Sequence, residues 1–422
     1  MNAVKFLLLL LLVLVFGQVL QWAVLDTLAL ALGAVLVGSF VWSRLSLRGV
    51  ALSRSVLATR GQVGQAFHEQ LRISNRSMLG KLWVEVIDHS DLPEHDPGRV
   101  VNLGRHATQS WEVTTLCSRR GRFHLGPVTL RSGDPLGLFP ASQRVEEWRE
   151  VVIYPAMVTL LRAASPRALL DGGATVDRKS MVVTPNVSGI RDYAPGDPTN
   201  RISWSQTARR GRLIVKEFDQ DQTADVWLVL DLEATVHRTA DHPLAMQPDA
   251  QGAWPVEAWL DSSVEVAVTA VASLARHFLG EGRSVGLIAT GKTLQTLPPE
   301  RGDRQMTKVL EMLAVVSADG TLPVGEVLLA EASRFTRQEG LVVVTPSTGQ
   351  QWVGALAELR ERRSSVSVVL IEASTFAPAP SAADTKHRLV FAGIPVATVA
   401  YGQPMVAALG SVMAGPQRSR LR

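Results

Sequence analysis

Residues 284–300 read SVGLIATGKTLQTLPPE, and within them GLIATGKT (286–293) satisfies the phosphate-loop pattern G-x-x-x-x-G-K-[ST]. If the string is a working phosphate loop, the C-terminal part of the chain is a nucleotide-binding fold. In such a loop the first glycine ends a strand, and the Lys-Ser/Thr pair opens a helix whose amides face the phosphates. Here Leu287, Ile288 and Ala289 carry the apolar run past Gly286. After Lys292 the stretch TLQTLPPE, with Pro298 and Pro299, predicts a β-hairpin return, because two prolines and alternating leucines do not suit a helix. The acidic strand end that would hold magnesium, Asp231, precedes the glycines rather than following them. The match is therefore read as coincidence, and no nucleotide cofactor is expected.

The surrounding period is that of an α/β unit. VWLVLDLEAT (226–235), SVGLIAT, LVVVTPS (341–347), SVSVVLIEA (365–373) and IPVATVAYG (394–402) are strand-like. Between them lie amphipathic segments such as SSVEVAVTAVASLARHFLGEG (262–282) and WVGALAELRERRS (352–364). Alternation of this kind predicts a mostly parallel sheet with helices on both faces over residues 224–408, followed by a basic tail at 409–422. The tail holds Arg418, Arg420 and Arg422, suited to anionic lipid.

Asp231 falls at the carboxyl end of a strand, where open α/β sheets take their ligands. A D-x-S-x-S pattern there supplies a carboxylate and two hydroxyls to a divalent cation. This chain has Asp231, Glu233 and Thr235. A loop-fixing carboxylate is the favoured reading, with a degenerate cation site through Asp231 and Thr235 as the alternative. His237 to Trp259 forms a long loop expected to overhang the strand ends, with Trp254 and Trp259 as contact residues.

The N-terminus obeys other rules. From Phe6 to Trp42 the only charge is Asp26. A straight helix of that length would be about 55 Å, well beyond a hydrocarbon core of about 30 Å. Two spans, Phe6–Gln21 and Val24–Trp42, are expected within residues 1–43, with the small pairs Ala29/Gly33 and Ala34/Gly38 at a helix contact. A cleaved signal peptide is the competing reading; a retained hairpin is favoured because the second apolar segment follows so closely. Lys5 before the spans and Arg44, Arg48, Arg54 and Arg60 after them place both ends in the cytoplasm, in a multi-pass protein of the inner membrane.

Residues 44–155 predict a small β-sandwich from HEQLRIS (68–74), KLWVEVID (81–88), QSWEVTTLC (109–117), RFHLGPVTLRS (122–132) and EVVIYP (150–155). Cys117 reads as a small core residue. The loop IDHSDLPEHDPG (87–98) gathers His89, Asp91, Glu94, His95 and Asp96, but the spacing is that of no metal site and a solvated turn is expected. The 422 residues carry a net charge of only +4, without the basic field of a nucleic-acid binder. No G-x-S-x-G, H-E-x-x-H or paired-cysteine motif occurs, so no catalytic site is expected.

The connecting segment 156–223 carries the densest pattern, GIRDYAPGDPTNRISWSQTARRGRLIVKEFDQD (189–221). Charges of both signs interleave there, which suits an ion-pair network or a protein-contact surface rather than nucleic acid. The block closely resembles the signature of the bacterial domain-of-unknown-function-58 family, matched at Arg191, Tyr193, Gly196, Asp197, Arg201, Ile202, Trp204, Ala208 and Arg209. The stretch Arg119–Phe139 is similar to that family's upstream β-region. The resemblance implies a membrane hairpin and a last domain that is von Willebrand factor A-like. It also implies a partner, a MoxR-like AAA+ ATPase, and hence a scaffold or adaptor. The chain departs from the metal-ion-dependent adhesion site of such domains at Glu233 and Pro346.

Overall fold

The computed structural model describes residues 2–160, 187–194, 202–218, 225–242, 244–250, 252, 254–335, 339–362 and 365–413. It divides into two compact units. The first comprises Met1–Val158, Ala240–Ala272 and Lys308–Ser317; the second comprises Thr159–Thr239, Ser273–Thr307 and Ala318–Arg422.

In the first unit, α1 (Asn2–Leu20) and α2 (Ala23–Ser46) form an antiparallel pair. Both are long and apolar enough to cross a membrane. The reversal is made at Gln21, whose φ of 49° is left-handed, and at Trp22, whose carbonyl accepts from Leu25 N at 2.8 Å. Of the small pairs, Ala29 is buried, but a Cβ added at Gly33 or Gly38 meets open space, whereas one at Gly17 would lie 2.8 Å from Asp26 Oδ1. Four-residue spacing on one helix specifies a face, and only the partner helix decides whether that face is used.

β1 (Val50–Val56) begins almost where α2 ends. It pairs with β3 (Ala66–Asn75), which pairs with β6 (Thr108–Leu116). A second sheet has the order β5 (Arg99–Leu103), β4 (Lys81–Asp88), β8 (Val128–Gly133), β9 (Pro140–Val145). A third joins β2 (Arg60–Gln62), β10 (Arg149–Tyr154) and β7 (Gly121–Leu125). RFHLGPVTLRS is thus two strands in two sheets, broken at Gly126, where a Cβ would lie 2.1 Å from Glu147 O. Leu52, Leu71, Ile73, Val84, Val86 and Leu130 close one core. Phe67, Leu125, Ile153 and buried Cys117 close another. Burial pushes the Cys117 thiol up to about 11, so it stays protonated and inert. Trp259 packs against this second core and edge-on to Trp254. The expected overhanging lid is therefore corrected: its last tryptophan is anchored in the sandwich, because an indole gains more from burial than from a solvated loop.

The 87–98 loop also departs from expectation. Period-two alternation in β3 turns Phe67, Glu69, Leu71 and Ile73 inward. A carboxylate is thereby placed in the interior, where the side chains of Glu69, Arg54 and His95 are all 0 % exposed. Arg54 Nε lies 3.5 Å from Glu69 Oε2, and its Nη2 pairs with Asp88. His95 Nε2 stands 3.2 Å from Glu69 Oε1 and 3.6 Å from Asp88 Oδ2, while Nδ1 meets Thr115 Oγ1 at 2.8 Å. His95 is an interior cross-link, not a solvated turn residue. Arg54 faces this cluster and is withdrawn from the basic flank that follows the apolar helices.

In the second unit, a six-stranded sheet has the order β15 (Leu294–Glu300), β14 (Val285–Thr290), β13 (Val226–Asp231), β16 (Gly340–Thr345), β17 (Ser365–Ile371), β18 (Val396–Val399). All neighbours are parallel except β15, which runs antiparallel to β14. One face is covered by α6 (Val324–Ala330), α7 (Gln351–Arg362) and α8 (Ala383–Phe391) through Leu328, Trp352, Leu356 and Leu389. Leu228 and Leu230, of the opposite parity in β13, are equally buried, so both faces are covered. α4 (Ser263–Gly280) and α5 (Asp303–Val315) each belong partly to either unit, and α9 (Met405–Met413) runs past the expected start of the tail. Arg418, Arg420 and Arg422 lie outside the described residues. GLIATGKT is the end of β14 and the turn into β15, with Thr290 opposite Leu294. Gly286 is required because a Cβ there would lie 2.6 Å from the Trp227 ring.

The interior ion cluster yields a stability prediction. Arg54→Met leaves two carboxylates buried without their cation and is expected to cost about 3–5 kcal/mol. Denaturation of the detergent-solubilised chain followed by tryptophan fluorescence measures it, and a loss under about 1 kcal/mol contradicts the assignment.

Candidate functional site

Two places carry the residues singled out by the sequence, and both lie in the second unit. The first is the signature segment. β11 (Val187–Asp192) pairs antiparallel with β12 (Ile214–Phe218). Between them the stretch around Trp204 is a short helix, α3 (Trp204–Arg210). It ends in Gly211, whose φ of 67° is the left-handed C-terminal stop that glycine takes at least cost. Ser203 N donates to Ile214 O at 2.8 Å, Ile214 N donates to Thr207 Oγ1 at 3.1 Å, and Ile202 is buried beside Val215.

The backbone of α3 is therefore pinned to β12, yet Trp204 is 66 % exposed. Ala208, one turn on, is exposed on the same face, with Arg209 and Arg210 beside it. Arg191 lies in β11 opposite Val215, and Tyr193 follows the strand with its amide donating to Leu213 O at 2.9 Å. Gly196, Asp197 and Arg201 lie outside the described residues. Of the interleaved charges, Arg212 and Asp192 pair at 2.8 Å, both about 60 % exposed, a geometry that contributes little to stability.

The second place is the end of the central strand. Asp231 is fully buried. Its Oδ2 accepts from Thr345 Oγ1 at 2.6 Å and its Oδ1 from Glu233 N at 3.0 Å. Thr345 Oγ1 in turn accepts from Ser347 N at 2.8 Å. On the other side, Thr290 Oγ1 accepts from Leu232 N at 3.1 Å. Thr235 donates to the Glu233 carboxylate, and His237, itself buried, donates through Nε2 to Asp231 O at 2.9 Å. The chain at Gly320 crosses these strand ends, with Gly320 N on Leu232 O at 3.0 Å and Ala234 N on Gly320 O at 2.9 Å. Only glycine passes, since a Cβ would sit 2.3 Å from Thr290 O.

This donor set does not fit a divalent cation. Both Asp231 oxygens are already engaged and shut from solvent, and Thr235 is turned to Glu233 rather than toward Asp231. Thr290, Thr345, Gly320 and His237 were not singled out by sequence reasoning. A signal for the threonines existed: LIAT and VVVT end at the level where VWLVLD ends, with Asp231 paired in register to Thr290.

Burial pushes the Asp231 carboxyl up from 3.8 to about 6, with the Glu233 charge adding to the rise and the hydrogen bonds from Thr345 and the Glu233 amide opposing it. Burial pushes His237 down from 6.5 to about 4.

The family comparison falls on the first place. Residues 189–242 match the family described as Protein of unknown function DUF58. That match and the weaker relatives support membership in this family. Among curated proteins, Uncharacterized protein YeaD of Bacillus subtilis (strain 168) is 25 % identical over 242 residues, covering 57 % of this chain and 54 % of YeaD. Uncharacterized protein Rv1480 of Mycobacterium tuberculosis is 24 % identical over 210 residues, covering 48 % of this chain and 61 % of Rv1480. The matched regions thus span 54–61 % of the length of these relatives. Among solved structures, the CARDB domain of the PF1109 protein from Pyrococcus furiosus, in complex with di-metal ions, is 9 % identical over 25 % of this chain and 91 % of that one, with a TM-score of 0.18. The C-terminal domain of wzt is 9 % identical over 26 % and 75 %, with a TM-score of 0.20. At such scores neither structure informs the fold or ligands of this chain.

The two opposed shifts give a signed prediction. A carboxyl raised in the folded state lowers stability as pH climbs from about 4 to about 6, and a histidine depressed in the folded state raises stability over nearly the same window. Each is worth on the order of 3 kcal/mol, so they largely offset. Asp231→Asn should leave stability rising from pH 4 to 6.5, and His237→Gln should leave it falling. Thermal melts across that range measure both, and parallel profiles for the two variants would refute the assignment.

Proposed function

We propose that the chain is a membrane-anchored cytoplasmic scaffold or adaptor that binds a protein partner and catalyses nothing itself. Its two apolar helices anchor it as a multi-pass protein of the inner membrane, with everything after α2 in the cytoplasm. The six-stranded unit is von Willebrand factor A-like: strand order 3-2-1-4-5-6 with an acidic residue ending the first strand supports that reading. The partner is a MoxR-like AAA+ ATPase, on the strength of the family resemblance.

The observation that carries the binding role is Trp204. An exposed indole on a helix held to β12 is pre-positioned as the kind of aromatic anchor that a partner surface covers. Tryptophan and arginine are among the residue types that dominate protein interfaces, and Trp204 and Arg209 both lie on this helix within the segment that matches the family.

Capture from native membranes tests this. Wild-type chain is expected to recover an AAA+ ATPase, and Trp204→Ala to recover at least about tenfold less. Equal recovery by both refutes the role of Trp204, and membranes that yield no such ATPase refute the partner.

A cation-dependent module working through Asp231 and Thr235 is the alternative. The enclosed carboxylate speaks against it, so calorimetry with magnesium, calcium and manganese is expected to give no binding heat. A saturable signal abolished by Asp231→Asn would restore that alternative.

A further inference from the structure

We propose that the end of the sandwich nearest α2 is a second membrane contact, lying in the phospholipid headgroup layer. The inference rests on the reading of α1 and α2 as a membrane hairpin and adds to it a surface outside the helices.

The level of this surface is set by two attachments to α2. Phe139, in the turn between β8 and β9, meets Phe40 edge-on with ring centroids 5.6 Å apart. Arg44 also lies over the Phe40 ring, 5.2 Å from its centroid. Phe40 is about 3 Å along the helix from Trp42, and tryptophan marks the boundary between hydrocarbon and headgroups. Phe139 is therefore held at that boundary. The second attachment is a cleft in which Trp42, Leu45 and Ser46 face Leu79, Lys81 and Leu82. There buried Lys81 donates from Nζ to Leu45 O at 2.6 Å, adding a side-chain donor to a carbonyl in the last turn that also accepts from Arg48 N at 3.2 Å.

At this level the sandwich exposes side chains that water does not favour. Leu79, before β4, Leu82 and Trp83, at the start of β4, and Leu136, in the turn between β8 and β9, are 47–58 % exposed. The 134–139 turn is built rather than loose: buried Asp134 accepts from Leu136 N at 3.1 Å and from Phe139 N at 2.6 Å. Trp83 is held outward on a left-handed φ of 54°, unusual for so large a residue, with its amide donating to Asn102 Oδ1 at 2.6 Å. Outliers of this kind persist where they are used.

Basic groups stand beside the apolar ones. Open grooves of about 580 and 490 Å³ flank the Phe139–Ser142 ridge, one containing Arg131 and Glu85, the other Arg44 and Arg48. Guanidinium groups level with the helix exit suit lipid phosphates. A bilayer is the occupant favoured over a soluble protein because the patch is continuous with the helix surface that the bilayer already covers.

The test uses the full chain with Cys117→Ala, reconstituted in phosphatidylcholine–phosphatidylglycerol vesicles and labelled with an environment-sensitive dye at a single introduced cysteine. Leu82→Cys and Leu136→Cys are the test positions. Leu57→Cys, 86 % exposed at the far end of β1, reports water, and Leu9→Cys in α1 reports lipid. Shallow lipid-borne nitroxide should quench positions 82 and 136 at least about threefold more than position 57, with iodide giving the reverse order. If both test positions behave like 57 while position 9 is quenched by lipid, the proposal is overturned and the hairpin stands. If position 9 is also open to iodide, the hairpin reading fails and takes the proposal with it.

Discussion

The burial of one carboxylate organises the C-terminal unit. Asp231 ends the central strand, takes a hydroxyl from the neighbouring strand at Thr345, and takes the amide of Glu233 from the loop that leaves it. An enclosed carboxyl without partners would cost several kcal/mol, so loop, strand and neighbour must be in place together. Gly320 threads the remaining space, and His237 closes it from below the loop through the Asp231 carbonyl. The carboxyl ends of the strands are where folds of this class admit ligands. Here that crevice is filled by the protein's own hydrogen bonds, which moves attention to the surface of α3.

Much of this was legible in the residues because it rests on period. Two apolar runs too long for one span gave a helix pair, and apolar strands alternating with amphipathic segments gave the parallel sheet. Pro298 and Pro299 betrayed the hairpin that disqualifies GLIATGKT. What period cannot show is a contact between distant positions. Arg54, Glu69, Asp88 and His95 come from separate parts of the sandwich, and each alone looks like a solvent-facing charge. α3 has only seven residues, too few for a helical repeat to declare itself. The threonines beside Asp231 were visible as strand ends, but their meaning depends on strand order, which one sequence does not state.

The sandwich and the sheet solve the problem of interior charge differently. At Asp231 a single carboxyl is neutralised in effect by hydroxyl and amide donors. In the sandwich an arginine, two acids and a histidine are grouped. Arrangements of the second kind seldom add stability over an apolar core, but they tolerate no substitution of one member alone.

The absence of a spacer between α2 and β1 has a mechanical result. Ser46 ends the helix and Val50 opens the first strand, with Leu47 and Val50 already in the sandwich core and Lys81 gripping the final turn. Helix and sandwich turn as one piece, so a sideways pull on the sandwich is transmitted as tilt of the hairpin. The helix pair is thus joined to the sandwich as a lever rather than through a tether.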